Sequence, residues 1–350
     1  YVNALTERKM FDSLCSWLSN NKFSFKKIFW ITGVIAFFLS PIADNLTTAL
    51  ILGTVVLVVG KGNKNFITIG MINIVVSANA GGAFSPFGDI TTLMVWQRGF
   101  VSFFDFFNIF IPSVVNYIIP AVIMSFFISN RIPEGDGKKV EILPGGKIIA
   151  LLGILTISIT VTGHQVLHMP PVFGMMFGLG MLGTYGYFLK TKSNEKNKFD
   201  IFHLTGKAEW DTLLFFYGIL VCVGGLAALG YLKLISDDMY VTLGPTYANI
   251  LVGFLSAIID NIPIVYAVLT AHPEMDMGQW LLITLTAGVG GSLLSIGSAA
   301  GVALMGQARG VYTFFSHLKW SWAILLGYAA SVVVHLWLNA DLFDLVPLER

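Results

Sequence analysis

The chain has 350 residues, 55% of them hydrophobic and only 12% charged, with 21 Lys and Arg against 20 Asp and Glu and a mean hydropathy of +0.75. Soluble domains carry roughly 25% charged residues, so this composition excludes a soluble enzyme. The near-neutral balance leaves no basic surface for nucleic acid. The class is an all-α polytopic membrane protein. Cys15 and Cys222 lie in unrelated contexts and give neither a disulfide framework nor a metal pair.

A bilayer core about 30 Å thick takes roughly 20 apolar helical residues to cross. Residues 1–27 read as an amphipathic interfacial helix and linker, with 4–18 lying flat on the membrane. Residues 28–60 are a long apolar run with Asp44-Asn45 near the centre, Lys22, Lys26 and Lys27 before it, and Lys61 and Lys64 after it. Lys-rich flanks stay in the cytoplasm, so both ends face inward and the run is a re-entrant hairpin. Residues 66–100 form a helix interrupted by Ser, Pro, Gly and Asp, and 107–130 is a full span leading into the cytoplasmic linker 131–146 with Arg131, Lys138 and Lys139. Spans 147–167, 170–189 and 211–232 follow, and Lys190, Lys192, Lys196 and Lys198 mark a cytoplasmic loop between the last two. The run 242–272, flanked by Asp237, Asp238, Glu274 and Asp276, is a second hairpin that enters from the opposite face and carries Asp260-Asn261 at its tip. A second broken helix, 279–313, and a span, 320–339, leave the tail 340–350 outside with Asp341, Asp344 and Glu349.

An internal repeat underlies this order. SPIADNLTTAL (40–50) matches SAIIDNIPIVYAV (256–268), and SANAGGAFSPFGDITTLMVWQRG (77–99) matches TAGVGGSLLSIGSAAGVALMGQARG (286–310). Repeat 1 (28–130) and repeat 2 (147–339) each run hairpin, broken helix, span. Opposite hairpin entry makes them an inverted repeat, an architecture that places its site at the midplane between broken helices. Repeat 2 has three spans before its hairpin where repeat 1 has a polar segment, so about three further spans are expected ahead of Tyr1.

An acid at mid-membrane costs about 2.5–3.5 kcal/mol on insertion scales and is rare unless used. Asp44, Asp89 and Asp260 all fall at mid-depth, beside helix breaks that free backbone carbonyls. Carboxylate, amide, hydroxyl and carbonyl oxygens suit a hard cation, and no thiolates are at hand for a soft metal. One arrangement uses Asp44, Asn45, Thr47 or Thr48 with Ser85, Gly88, Asp89 and Thr92. Its twin uses Asp260 and Asn261 with Ser292, Ser295, Gly297 and Ser298, and lacks a second acid because Ser298 stands in place of Asp89. Desolvation raises a carboxyl pKa and a bound cation lowers it, so a buried Asp can exchange H⁺ for Na⁺. Plainer roles compete: Asp-Asn as a turn, Asp89 as an N-cap, His164, His168 and His335 at span ends, Glu209-Trp210-Asp211 as an interfacial anchor, and Arg98 and Arg309 as snorkelling cations. Duplication of Asp-Asn at matched positions favours site duty.

Three function classes remain: a secondary cation/proton antiporter, a Na⁺-coupled anion or dicarboxylate transporter, and an intramembrane aspartyl protease. Anion sites use neutral residues at half-helix N-termini, whereas acids occupy both tips here. The protease class lacks its Pro-Ala-Leu element. The strings 40–50, 77–97, AEWDTLLFFYG (208–218), SAIIDNIPI (256–264) and GGSLLSIGSAAGVALMG (290–306) resemble the NhaD-type sodium/proton antiporters of the ion transporter superfamily. The resemblance covers nearly the whole chain. It implies a bacterial inner-membrane exchanger of Na⁺ or Li⁺ for H⁺ that supports salt and alkaline tolerance, with no resident cofactor, working as a homodimer with an elevator-like transport domain. It also implies Na⁺ at Asp44, Asn45, Asp89, Asp260 and Asn261.

Overall fold

The structure is a computed structural model that describes residues 1–21, 23–133, 140–192, 200–206 and 210–343. Lys22, Lys138, Lys139, Lys196, Lys198, Glu209, Asp344 and Glu349 lie outside the described residues, as do the side chains of Cys15, Lys192, Asp211 and Asp237. Every regular element among the described residues is helical. Six of the helices are long and apolar enough to cross a bilayer, and the pair Tyr217–Ala228 and Tyr231–Leu243, bent by 81°, makes a seventh if counted as one span. The chain is therefore a polytopic, all-helical membrane protein.

It divides into two compact units, one formed by Tyr1–Asn20 with Asp136–Tyr217, the other by Asn21–Gly135 with Gly218–Arg350. The smaller contains α1 (Val2–Glu7), α2 (Met10–Asn20), α8 (Gly146–Leu167), α9 (Pro171–Lys192) and α10 (Ile201–Gly206). Residues 4–18 do not make one helix, because Lys9 adopts φ 57° and separates α1 from α2. Ala4 packs with Ile149, Leu182 and Leu204. The Tyr1 hydroxyl donates to the Gly178 carbonyl at 2.8 Å and lies 2.7 Å from Thr156 Oγ1. His164 Nδ1 bonds the Met169 carbonyl at 3.1 Å and closes the turn between α8 and α9.

The larger unit holds α3 (Phe25–Ala43), α4 (Asn45–Val59), α5 (Lys64–Ala83), α6 (Ile90–Gln97), a 3-10 turn (Asp105–Ile109) and α7 (Phe110–Ser125). After α11 (Trp210–Ala228), which crosses the boundary between units, and α12 (Tyr231–Leu243), the same order returns. It runs α13 (Pro245–Ser256), α14 (Asn261–Ala271), α15 (Met277–Gly290), α16 (Ala299–Gln307), α17 (Phe314–Leu318) and α18 (Ser321–Leu338). Side-chain caps start the long helices at matched places: Asn63 accepts from Phe66 N at 3.0 Å for α5, and Asp276 from Gln279 N at 2.8 Å for α15. Each supplies an acceptor to an amide that the helix leaves without one.

The packing exchanges partners between the two sets. α5 lies against α15 and α7 against α18, while α4 packs on α16 and α14 on α6. α5 and α15 are enclosed along most of their length, with Ile69, Met71, Ile72, Leu281, Leu282 and Ile283 fully buried. A helix apolar all round is a core helix, and these two form the core. Close crossing demands glycine: a Cβ on Gly81 would sit 2.1 Å from the Phe37 carbonyl oxygen, and one on Gly290 2.1 Å from that of Gly253. α3 therefore meets α5, and α13 meets α15, backbone against backbone.

Candidate functional site

Four short helices begin near the helix breaks, and each start fixes one polar side chain. Asp44 alone separates α3 from α4, at φ 59° and ψ 165°. Its carboxylate accepts from Thr47 N at 2.8 Å and Thr47 Oγ1 at 3.0 Å, so it caps α4, and an acid there also meets the positive end of the helix dipole. The next residue, Asn45, takes a Ser40 hydroxyl on its Oδ1 and extends its Nδ2 to Asp89 Oδ2 at 2.9 Å.

Asp89 is the N-cap of α6, in extended backbone. Its Oδ1 accepts from Thr91 N at 3.2 Å, and Thr92 Oγ1 accepts from Asp89 N at 3.3 Å, completing a capping box. The same Oδ2 that holds Asn45 also accepts from Asn261 Nδ2 at 2.8 Å. Asn261 opens α14, and Asp260 is the N-cap beside it. Asp260 directly precedes Asn261, the residue that reaches Asp89. The structure thus gathers Asn45, Asp89 and Asn261 into one hydrogen-bonded centre, with Asp260 adjacent. The asparagines of both Asp-Asn pairs reach a single carboxylate oxygen.

The remaining residues singled out by sequence surround the breaks. Ser85 Oγ receives Phe87 N at 3.3 Å and donates to the Pro41 carbonyl at 3.4 Å, tying the first break to the end of α3. A Cβ on Gly88 would lie 2.4 Å from the Gly82 carbonyl oxygen, so only glycine lets the chain fold back there. Thr48 and Ser295 are buried, and their hydroxyls have no hydrogen-bond partner among the described residues. Ser298 caps α16 through Gly301 N at 3.3 Å. Gly297 packs directly on the backbone of Ser256 and Ala257.

Sequence reasoning passed over Asn79, Thr91 and His317. Asn79 Nδ2 donates to Ser292 Oγ at 2.9 Å and joins α5 to the second break. Thr91 presents a buried hydroxyl with no hydrogen-bond partner among the described residues. His317 donates to the Ser292 carbonyl. Asn79 carried a usable signal, being an amide in an apolar helix shortly before the break that follows Ala83; His317 carried none.

Chemically, the centre is an oxygen-rich, half-buried carboxylate flanked by two amides, hydroxyls and the starts of several helices. Among the described residues no group of three or more His, Cys, Asp or Glu is placed to hold a metal ion. Oxygen donors of this kind suit a weakly held hard cation.

The chain is similar to known proteins over most of its length. The model of the citrate transporter family matches residues 1–288. The Na⁺/H⁺ antiporter NhaD of Alkalimonas amylolytica is 56% identical over 368 aligned positions, covering 99% of this chain and 76% of the relative. The Na⁺/H⁺ antiporter NhaD of Vibrio parahaemolyticus is 55% identical over 352 positions, 94% of this chain and 85% of the relative. Sodium/proton antiporter 1 of Arabidopsis thaliana is 34% identical over 323 positions, 89% of this chain and 55% of the relative.

Proposed function

We propose that this chain, which belongs to the citrate transporter family and within it to the NhaD-type Na⁺/H⁺ antiporters, exchanges Na⁺ or Li⁺ for H⁺ by letting the two cations compete for one half-buried carboxylate centre. The observation that carries this reading is Asp89 held on one oxygen by the amides of both Asp-Asn tips. Desolvation favours the protonated carboxyl and a nearby cation favours the ionised one. H⁺ and Na⁺ therefore exclude each other, and alternating exposure converts that exclusion into exchange. Each Asn amide has a donor and an acceptor end. Turning Asn45 or Asn261 over replaces an N–H by an oxygen beside the carboxylate, which is what an arriving cation needs. Asp44 and Asp260 add negative charge at the two tips, with Thr47, Thr48, Thr92, Ser85, Ser292, Ser295 and Ser298 and the backbone at Gly88 and Gly297 as the surrounding oxygen donors.

In this reading the two helical sets are an inverted repeat. Residues 28–60 open to the cytoplasm, residues 242–272 open to the periplasm, and the C-terminus is periplasmic, in the inner membrane of a bacterium. The protein works as an elevator-type homodimer and supports growth in sodium and at alkaline pH. Its substrates are Na⁺, Li⁺ and H⁺, and it needs no cofactor.

The citrate transporter description of the matched family favours a second reading, Na⁺-coupled uptake of a dicarboxylate. Acids at Asp44, Asp89 and Asp260 repel such a substrate, which weighs for antiport. Everted vesicles acidified inside and followed with a pH-sensitive dye separate the two. Antiport gives rapid alkalinisation on Na⁺ or Li⁺ that is lost in Asp89→Asn. Accumulation of labelled dicarboxylate in a Na⁺ gradient, with no cation response, establishes the second reading instead. Cysteines placed near Lys61 and near Glu274 should label from the cytoplasmic and the opposite side respectively; one side for both removes the inverted repeat.

A further inference from the structure

We propose that His317 is a positioning residue for the ion site, holding the second helix break in shape through the carbonyl of Ser292 and so setting cation affinity. The inference rests on the antiport reading and adds a residue to it.

His317 is fully buried in α17. Its Nε2 lies 2.9 Å from the Ser292 carbonyl oxygen and its Nδ1 2.7 Å from the Tyr312 hydroxyl. A carbonyl can only accept, so Nε2 carries the hydrogen. The neutral ring then offers a lone pair at Nδ1, and the Tyr312 hydroxyl donates to it. Both ring nitrogens are satisfied in a single tautomer and a single orientation. The turn carrying Tyr312 is itself fastened to α5, where Thr68 Oγ1 donates to the Val311 carbonyl at 3.1 Å.

Ser292 stands just past the end of α15, where carbonyls lose their helical partners. Its hydroxyl accepts from Asn79 while its carbonyl accepts from His317. The adjacent Leu293 carbonyl accepts from Ser321 Oγ at 2.6 Å. Two consecutive carbonyls are thereby held by side chains from α17 and the start of α18, immediately upstream of Ser295, Gly297 and Ser298. The first break has no such imidazole. Phe106, which stands as far before Tyr117 as His317 stands before Tyr328, is a fully buried hydrocarbon ring without a donor. Freed from His317, the Ser292 carbonyl is a buried acceptor without its partner, and the loop must shift to find another. That shift moves the oxygens offered to the cation.

The test reconstitutes the full-length protein in liposomes and compares wild type with His317→Leu, His317→Gln and Tyr312→Phe. His317→Leu removes the donor and should raise the half-saturating Na⁺ concentration about tenfold, with the maximal rate within about threefold of wild type. His317→Gln restores an N–H at similar reach and should return the half-saturating value to within about threefold of wild type. Amide hydrogen exchange over 291–298 should quicken in His317→Leu and not over 84–88. Unchanged Na⁺ dependence in His317→Leu overturns the assignment, and so does a rise that His317→Gln fails to reverse, which marks a packing role alone. If His317→Leu does not accumulate in the membrane, Tyr312→Phe keeps the ring volume and decides: a smaller rise in the same direction supports the assignment, and wild-type Na⁺ dependence overturns it. A wild-type protein without cation exchange removes the antiport reading and this assignment together, whereas wild-type exchange with unmoved variants removes this assignment alone.

Discussion

Asp89 and Ser298 stand at the N-caps of α6 and α16 with nearly superimposable backbone, φ −146° and ψ 153° against φ −145° and ψ 149°. The chemistry at the two places is opposite. Asp89 brings a charge that draws an amide from each tip, whereas Ser298 brings a neutral hydroxyl that only caps its own helix. The first break is fastened through Ser85 to α3, the second through Ser292 and Leu293 to α17 and α18. A shared backbone thus supplies two scaffolds, and one side chain decides which of them carries the charge.

The sharpest way to break this contrast is Asp89→Asn, which should reduce Na⁺- and Li⁺-driven alkalinisation to background while the protein still inserts; wild-type rates would remove Asp89 from the site. Next, Asp44→Asn and Asp260→Asn should each severely cut exchange in the same assay, and wild-type rates in both would limit these acids to capping. In the loaded site each turned amide offers its oxygen to the cation. Asn45→Ala and Asn261→Ala remove that oxygen and should each raise the half-saturating Na⁺ concentration, and a large effect in one alone would show that the tips do not share the carboxylate equally. Ser298→Asp places an acid at the second cap. Like charges oppose each other's ionisation, so the neighbouring carboxyls keep their protons to higher pH, and the pH at which exchange begins should move upward; an unmoved profile would put Ser298 beyond electrostatic reach. The smallest effect is expected of Ser298→Ala, which loses a cap worth about 1 kcal/mol and one of the surrounding hydroxyl oxygens, read as a modest fall in melting temperature with a modest rise in the half-saturating Na⁺ concentration.

Much of this was legible before any coordinates. The membrane class followed from charge content, and the breaks from Asp, Pro and Gly interrupting apolar runs. Asp89 was legible as a cap because Thr92 follows it at capping-box spacing. The meeting of Asn45 and Asn261 on Asp89 was not, since it joins positions far apart in the chain through packing of α14 on α6. Lys9 gave no sign of its left-handed conformation, because lysine has no local preference for it and neither glycine nor asparagine marks the place. His317 was hidden for a related reason: its neighbours in sequence are aromatic and polar residues of an ordinary helix start, and its partner Ser292 is reached only through the fold.

The exchanged packing of α4 on α16 and α14 on α6 also bears on how the chain is made. The segment carrying Asp44 and Asp89 leaves the ribosome long before the elements that cover it. At about 5–20 residues per second, α4 waits on the order of 10–50 s for α16. Until α14 is made, Asp89 lacks Asn261, and an acid-bearing loop stands without its second amide. Biosynthesis therefore places its own demand on the molecule: the early helices must persist without their late partners, and slowing translation between α7 and α14 should lower the yield of assembled protein without changing any contact in the finished one.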